Sequence, residues 1–249
     1  MLFHVLTIFP ELLSSPLEEG IIRRARKDGK IEIMITDIRE FALDKHTMTD
    51  DRPFGGGEGM VMKPEPLAAA IRQARDGQAE SHVVLLSPQG RRYDQNIAAD
   101  LAGKKNIILV CGRYEGVDER IRANFVDEEL SIGDYILTGG ELAAMVIIDS
   151  VTRLLPGVLG CAGSAECDTF SRGGLKYPQY TRPRDFEGHE VPDILLSGDH
   201  EKIAQWRFAA AVKTTMEKRP DLLDAMSFSK KELKLLQKYG VCLDTSCRK

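Results

Sequence analysis

Short apolar runs separated by helix-period segments organise the first 160 residues. The runs at residues 3–9 (FHVLTIF), 31–38 (IEIMITDI), 82–86 (HVVLL) and 106–111 (NIILVC) are brief and β-branched, the pattern of strands buried on both faces. Between them lie segments with helical spacing and helix punctuation. Residues 17–29 end at Gly29, residues 64–77 carry Pro64 near the start and Gly77 after the end, and residues 94–103 close on Gly103. Strand, helix, strand in this rhythm predicts an α/β domain with a mostly parallel sheet over residues 1–160. The pattern then changes. Residues 161–190 have almost no apolar periodicity and are full of Gly, Ser, Pro and charge, which predicts a linker over 161–185. Helical spacing returns in a small domain over 186–249. Asp199 caps a helix that places Ile203, Trp206 and Ala210 on one face and stops before Pro220. Ser229 caps a second, with Glu232 three residues on and Gly240 as its stop.

Three glycine-bearing loops follow apolar runs: LSPQG after HVVL, CGRYEG after NIILV, and SIGDYILTGGE at residues 131–141. The last holds the apolar residues of a short strand, yet Gly133, Gly139 and Gly140 interrupt it, which points to a turn that lets something approach closely. A ligand of an open parallel sheet sits at the carboxyl ends of its strands, so the three loops can line one pocket. A fourth glycine cluster, DRPFGGGEGMVMKPEP at 51–66, is neither a Walker loop nor a G-x-G-x-x-G fingerprint. For it, ligand contact and a passive loop both stay open.

Composition narrows the classes. The chain has 249 residues, 43% apolar and 29% charged, enough for one large core plus a smaller domain. The apolar start MLFHVLTIFPELL lacks a basic leader and a cleavage site, and no stretch is long enough to cross a bilayer, so a cytoplasmic protein with no membrane partner is expected. The five cysteines, at 111, 161, 167, 242 and 247, have no C-x-x-C spacing, and the five histidines are scattered; reduced thiols are expected and no metal ligand is assigned. A net charge of −4 argues only mildly against nucleic acid, because the placement of basic side chains matters more than their sum.

The motifs FGGGEGMVMKPEP, LLSPQGR, CGRYEGVDER, SIGDYILTGGELAAMVIIDSVTRLLPGVLG and YPQYTRP, in this order over roughly residues 1 to 240, closely resemble the bacterial tRNA (guanine-N1)-methyltransferase family. That family methylates the guanosine just 3′ of the anticodon. The resemblance implies the SPOUT fold, with a deep trefoil knot in the carboxyl half of the α/β domain; composition and the rules of sheet connection point instead to an unknotted fold. It further implies that the glycine loops hold the methyl donor S-adenosylmethionine in a bent shape. Leu86, Ser87 and Pro88 of the first loop, Gly112, Tyr114 and Gly116 of the second, and Ile132, Gly133, Asp134, Tyr135, Ile136, Leu137, Gly139 and Gly140 of the third are then the donor-binding residues. Asp168 in ECDTF resembles the family's general base, Arg153 in SVTRLLP the residue that supports the charge on the guanine or orients the base, and Glu115 is a further polar residue of the site. Homodimers with composite active sites and a tRNA anticodon stem-loop as partner follow from the same resemblance. The family is described as magnesium-dependent, so Mg2+ is an expected ion with no assigned ligands. Thr169 stands where the family more often has serine.

Blander alternatives accompany each residue. A lone aspartate in a Gly/Ser-rich linker is usually a turn former, Arg153 suits the C-terminus of a helix as a dipole-compensating cation, and Asp134 suits a turn whose amides it satisfies. Arg172, Lys176, Arg182 and Arg184, with Tyr177 and Tyr180 beside them, fit an RNA contact; Lys230, Lys231, Lys234 and Lys238 fit a solvated helix face as well as they fit RNA. Two other classes compete: a dinucleotide-dependent oxidoreductase, which lacks the fingerprint after the first strand, and a non-catalytic RNA-binding protein, against which Asp168, Arg153 and the full loop set speak.

Overall fold

A computed structural model describes residues 1–78, 80–160, 168–170 and 173–243; Arg172, Cys161, Cys167 and Cys247 lie outside the described residues. The chain divides into two compact units, Met1–Ala162 and Gly163–Lys249. The first contains, in order, β1 (Leu2–Thr7), α1 (Glu11–Leu17), α2 (Gly20–Lys27), β2 (Glu32–Asp37), β3 (Asp50–Asp51), β4 (Val61–Met62), α3 (Pro64–Arg75), β5 (Ser81–Arg92), α4 (Gln95–Ala102), β6 (Asn106–Cys111), α5 (Glu119–Phe125), β7 (Glu128–Ser131) and α6 (Glu141–Thr152). Five strands form one sheet in the order β2-β1-β6-β5-β7, and every pairing in it is parallel. The α/β class with a mostly parallel sheet is therefore the observed one.

Period-two alternation splits each strand's apolar residues between two cores. Val84, Leu86, Ile107, Leu109 and Cys111 face α1, α2, α4 and α6, whereas Val83, Leu85, Ile108 and Val110 face α3 and α5. This explains why the strands are continuously apolar in sequence, since both faces are covered.

Three local features differ from the sequence pattern. The helical run 17–29 is broken at Glu18–Glu19, where Gly20 takes a positive φ of +61°, so α1 begins earlier and α2 is separate. In SIGDYILTGGE only Ser131 belongs to a strand, and residues 132–140 form a loop. The first glycine loop is part of β5, which continues to Arg92 with a register shift against β7 between Leu86 and Arg91.

The second unit contains a short antiparallel pair, β8 (Asp185–Phe186) and β9 (His189–Glu190), followed by α7 (His200–Lys218) and α8 (Lys230–Lys238). Its own small core gathers Ala209, Val212, Leu236 and Val241. The caps are those the sequence predicts: Asp199 accepts from the Lys202 amide at 3.1 Å, and Ser229 with Glu232 forms a capping box. Among the described residues no helix is long and apolar enough to cross a membrane.

Candidate functional site

Because β5, β6 and β7 run parallel, their carboxyl ends share one edge of the sheet, and a cavity of about 410 Å³ opens there. Its volume lies in the range of small-molecule sites, ~300–1,000 Å³. The irregular stretch of β5 supplies Leu86, Ser87 and Pro88; the loop after β6 supplies Gly112, Tyr114, Glu115 and Gly116. The loop after β7 supplies Ile132, Gly133, Tyr135, Ile136, Leu137, Gly139 and Gly140. Of the residues that the resemblance assigns to the donor, Asp134 alone stands apart: it is exposed and does not line the cavity.

The loops are zipped together by main chain. The Gly140 amide donates to the Gly112 carbonyl at 3.0 Å, and Arg113 and Gly139 form an antiparallel bridge. A Cβ at Gly140 would meet Cys111 Cα at 2.8 Å and Leu86 Cβ at 3.1 Å. Glycine is required there because three chain segments touch one another, a reason different from room for a ligand. Gly90 obeys the same rule, since its Cβ would meet the Glu129 carbonyl oxygen at 2.7 Å.

Beneath the cavity lies a charged network that sequence reasoning missed. Glu141, at the first position of α6 and 1% exposed, accepts from Thr7 Oγ1 at 2.6 Å and from Arg113 Nη2 at 3.0 Å. The Arg113 guanidinium also stacks 4.3 Å above the Phe9 ring, and the Phe9 amide donates to Thr7 Oγ1 at 2.9 Å. Burial first, and Glu141 second, push the thiol of neighbouring Cys111 well above the ordinary range. A charged pair at one edge of a glycine motif was the available signal. Arg122, also missed, lines the cavity as well; its Nη1 donates to Gln89 Oε1 and its Nε lies 3.3 Å from Glu129 Oε1.

The 51–66 cluster serves as a buttress. The Glu115 amide donates to the Met60 carbonyl, and the Met62 amide to the Gly116 carbonyl, both at 2.9 Å. Gly59 sits at φ +83°, a backbone conformation that favours glycine, with the Glu115 side chain packed against it. Tyr114 holds a positive φ of 57°, a costly conformation for a non-glycine residue that persists where surrounding contacts fix it. Burial first, and Asp50 second, raise its phenol above the ordinary range.

Arg153 does not line the cavity. Arg153 follows α6 as its C-terminal cap, at the far end of the helix from Gly140. Twelve helical residues separate those ends by about 18 Å. Asp168 belongs to the second unit, where its Oδ1 lies 3.1 Å from Lys176 Nζ.

Comparison with known proteins gives one answer. The sequence profile of the family described as tRNA (guanine-1)-methyltransferase TrmD matches residues 1–225. A protein of Desulfatibacillum aliphaticivorans named tRNA (guanine-N(1)-)-methyltransferase is 55% identical over 240 residues, covering 96% of this chain and 92% of its own. Proteins with the same name from Geobacter sulfurreducens and Dictyoglomus turgidum are each 52% identical, covering 96% and 94% of this chain and 99% and 94% of their own.

Proposed function

The chain belongs to the tRNA (guanine-1)-methyltransferase family, and from that premise we propose how its residues share the work. The protein is a tRNA (guanine-N1)-methyltransferase that uses S-adenosylmethionine as methyl donor. Its proposed target is the guanosine immediately 3′ of the anticodon. The observation that carries the assignment of the donor site is that three separate loops close one cavity at the carboxyl ends of parallel strands.

The cavity suits the donor. Leu86, Ile132 and Leu137 offer apolar contact to an adenine ring, while the glycine-rich segments leave main-chain groups accessible. The donor supplies an electrophilic methyl group on a sulfonium. N1 of guanine carries a proton and attacks poorly until a base removes it, so we assign that task to Asp168. Negative charge then moves onto O6, where a fixed cation stabilises it, and Arg153 is assigned there. Glu115 lines the cavity and is assigned a polar contact beside the reacting groups.

Arg153 stands at the end of α6 opposite the cavity-lining Gly140, which supports a homodimer whose composite sites join the donor loops of one subunit to the catalytic side chains of the other, Asp168 being assigned among these. The family's trefoil knot is proposed for the three loops, residues 161–185 for the interdomain linker carrying the base, and the second unit for tRNA contact through Tyr177, Tyr180, Arg182 and Arg184. Among the described residues no group of three or more His, Cys, Asp and Glu side chains is placed to hold an ion. The Mg2+ implied by the resemblance therefore finds no protein cage among the described residues. A tRNA substrate supports a cytoplasmic setting.

Calorimetric titration with S-adenosylmethionine, paired with methylation of tRNA transcripts bearing guanosine or adenosine 3′ of the anticodon, tests the assignment. Donor binding with transfer to the guanosine transcript alone is expected; equal transfer to both transcripts would overturn the choice of target.

A further inference from the structure

The hairpin between β3 and β4 buttresses the donor cavity with its root, and its tip is left without a task. Asp50 pairs with Met62 and Asp51 with Val61, and Met62 also bridges to Val117, beside the cavity loop that follows β6. The Asp118 amide donates to the Met62 carbonyl at 3.0 Å, and Gly59 packs against the side chain of cavity-lining Glu115. The root is therefore fixed to the cavity wall. At the tip, residues 53–57 read PFGGG. The Gly56 amide donates to the Pro53 carbonyl at 3.3 Å, which turns the chain, and Phe54 is fully exposed. Gly55 and Gly56 hold φ of +87° and +80°, and a Cβ on either would meet nothing within 4 Å. Glycine serves the turn there rather than packing, and it keeps the space around the Phe54 ring open.

A single exposed apolar side chain is ordinary. Position sets this one apart. Phe54 is five residues from Gly59, so it lies within about 18 Å of that point on the cavity wall. Guanine N1 reaches the donor only if the target base leaves the stack of its neighbours in the anticodon loop, which strips one face of a flanking base. An aromatic ring can replace that face, because base–aromatic stacking tolerates any sequence and needs no charge. The tip has this character: residues 53–57 are uncharged, and Arg52 and Glu58 on either side cancel. A stable protein interface buries about 800 Å² on each partner, far more than one ring on a glycine turn presents.

We propose that Phe54 is a substrate-stacking residue: its ring covers the face of a base flanking the target guanosine once that guanosine turns into the donor cavity. This rests on the target being the guanosine 3′ of the anticodon.

The test measures the affinity of the full-length protein for a tRNA transcript at saturating S-adenosylhomocysteine, which blocks transfer. Phe54→Ala is expected to raise the Kd about 5- to 150-fold, the worth of one base–aromatic stack. Phe54→Leu, apolar but without a π-face, should behave like the alanine variant, and Phe54→Trp should retain binding. No phosphate contact is lost, so the slope of log affinity against log salt should stay at its wild-type value. Transcripts with an abasic nucleotide 5′ or 3′ of the target then locate the stacked base. At that position wild type and Phe54→Ala should bind equally, since the partner of the ring is gone. Equal binding of the intact transcript by both proteins, or a penalty that persists in full on both abasic transcripts, overturns the proposal. Such a persistent penalty, accompanied by easier dimer dissociation in sedimentation, would assign the ring to a subunit contact. Wild-type transfer from S-adenosylmethionine to the intact transcript separates the two failures: if it is absent, the target assignment falls; if it is present and neither flanking base is coupled to Phe54, the stacking role alone falls.

Discussion

Asp168→Asn preserves size and hydrogen-bonding capacity and removes basicity, so binding of donor and tRNA should survive while single-turnover transfer falls about 10²- to 10⁴-fold, the usual range for a general base. A near wild-type rate would pass the role to Glu115, the assigned carboxylate that lines the cavity. The buried Arg113–Glu141 pair obeys a different logic, because neither side chain need touch the substrate to matter. With Glu141 1% and the Arg113 side chain 14% exposed, removing one partner strands a charge in the interior, at a cost of about 3–5 kcal/mol. Glu141→Leu and Arg113→Met should each lower the denaturation midpoint strongly, and the double variant should lose much less than the sum. Additive losses in a denaturant series would show that the two residues act independently. Asp168 could be singled out only by resemblance, since a carboxylate in a Gly/Ser-rich stretch looks like any turn residue, and Arg113 and Glu141 escaped notice because the glycines around them drew the attention to backbone.

Gly140→Val tests why the elements meet as they do. Its Cβ would lie 2.8 Å from Cys111 Cα, so the start of α6 must retreat from β6, at about 1–3 kcal/mol, the usual overpacking cost. Stability and donor affinity should fall together; intact stability with lost affinity would mean that the side chain clashes with the ligand instead. In the second unit, Ser229→Ala removes half of the capping box on α8 and should cost about 0.5–2 kcal/mol, visible as faster amide exchange in that helix. Much of this level was legible beforehand. Four strands announce themselves by apolar runs, and the caps at Asp199 and Ser229 by residue type and spacing. β7 did not, because Glu128 and Glu129 make it polar. They are tolerated at the sheet edge since Glu128 pairs with His82 at 3.2 Å and Arg91 at 2.7 Å, while Glu129 lies 3.3 Å from Arg122. The pocket loops were legible as glycine clusters after strands. Which glycines face a ligand and which face another backbone depends on contacts between residues far apart in sequence, and no local pattern encodes those.

At the scale of the whole molecule, the assigned catalytic groups are divided between the two compact units, Glu115 and Arg153 in the first and Asp168 in the second. The donor loops converge at one end of α6, Arg153 caps the other end about 18 Å away, and Asp168 belongs to a separately folded unit. A two-fold homodimer resolves this if each site takes its loops from one subunit and its acid–base groups from the other. Complementation then follows from counting. Asp168→Ala leaves the donor cavity intact, and Leu137→Glu places a charge in the apolar part of its wall while leaving Asp168 intact. Each homodimer has two defective sites. In a mixed dimer one site combines the intact cavity of the first variant with the intact Asp168 of the second, and the other site combines both defects. Equal mixing with free subunit exchange makes half of the dimers mixed, so activity should recover to roughly a quarter of the wild-type sites. The recovery should appear only after exchange, for instance on joint refolding, and should be absent from a fresh mixture of stable dimers. Activity that stays at the level of the separate variants after exchange has been verified by differential tagging would place every site within a single chain.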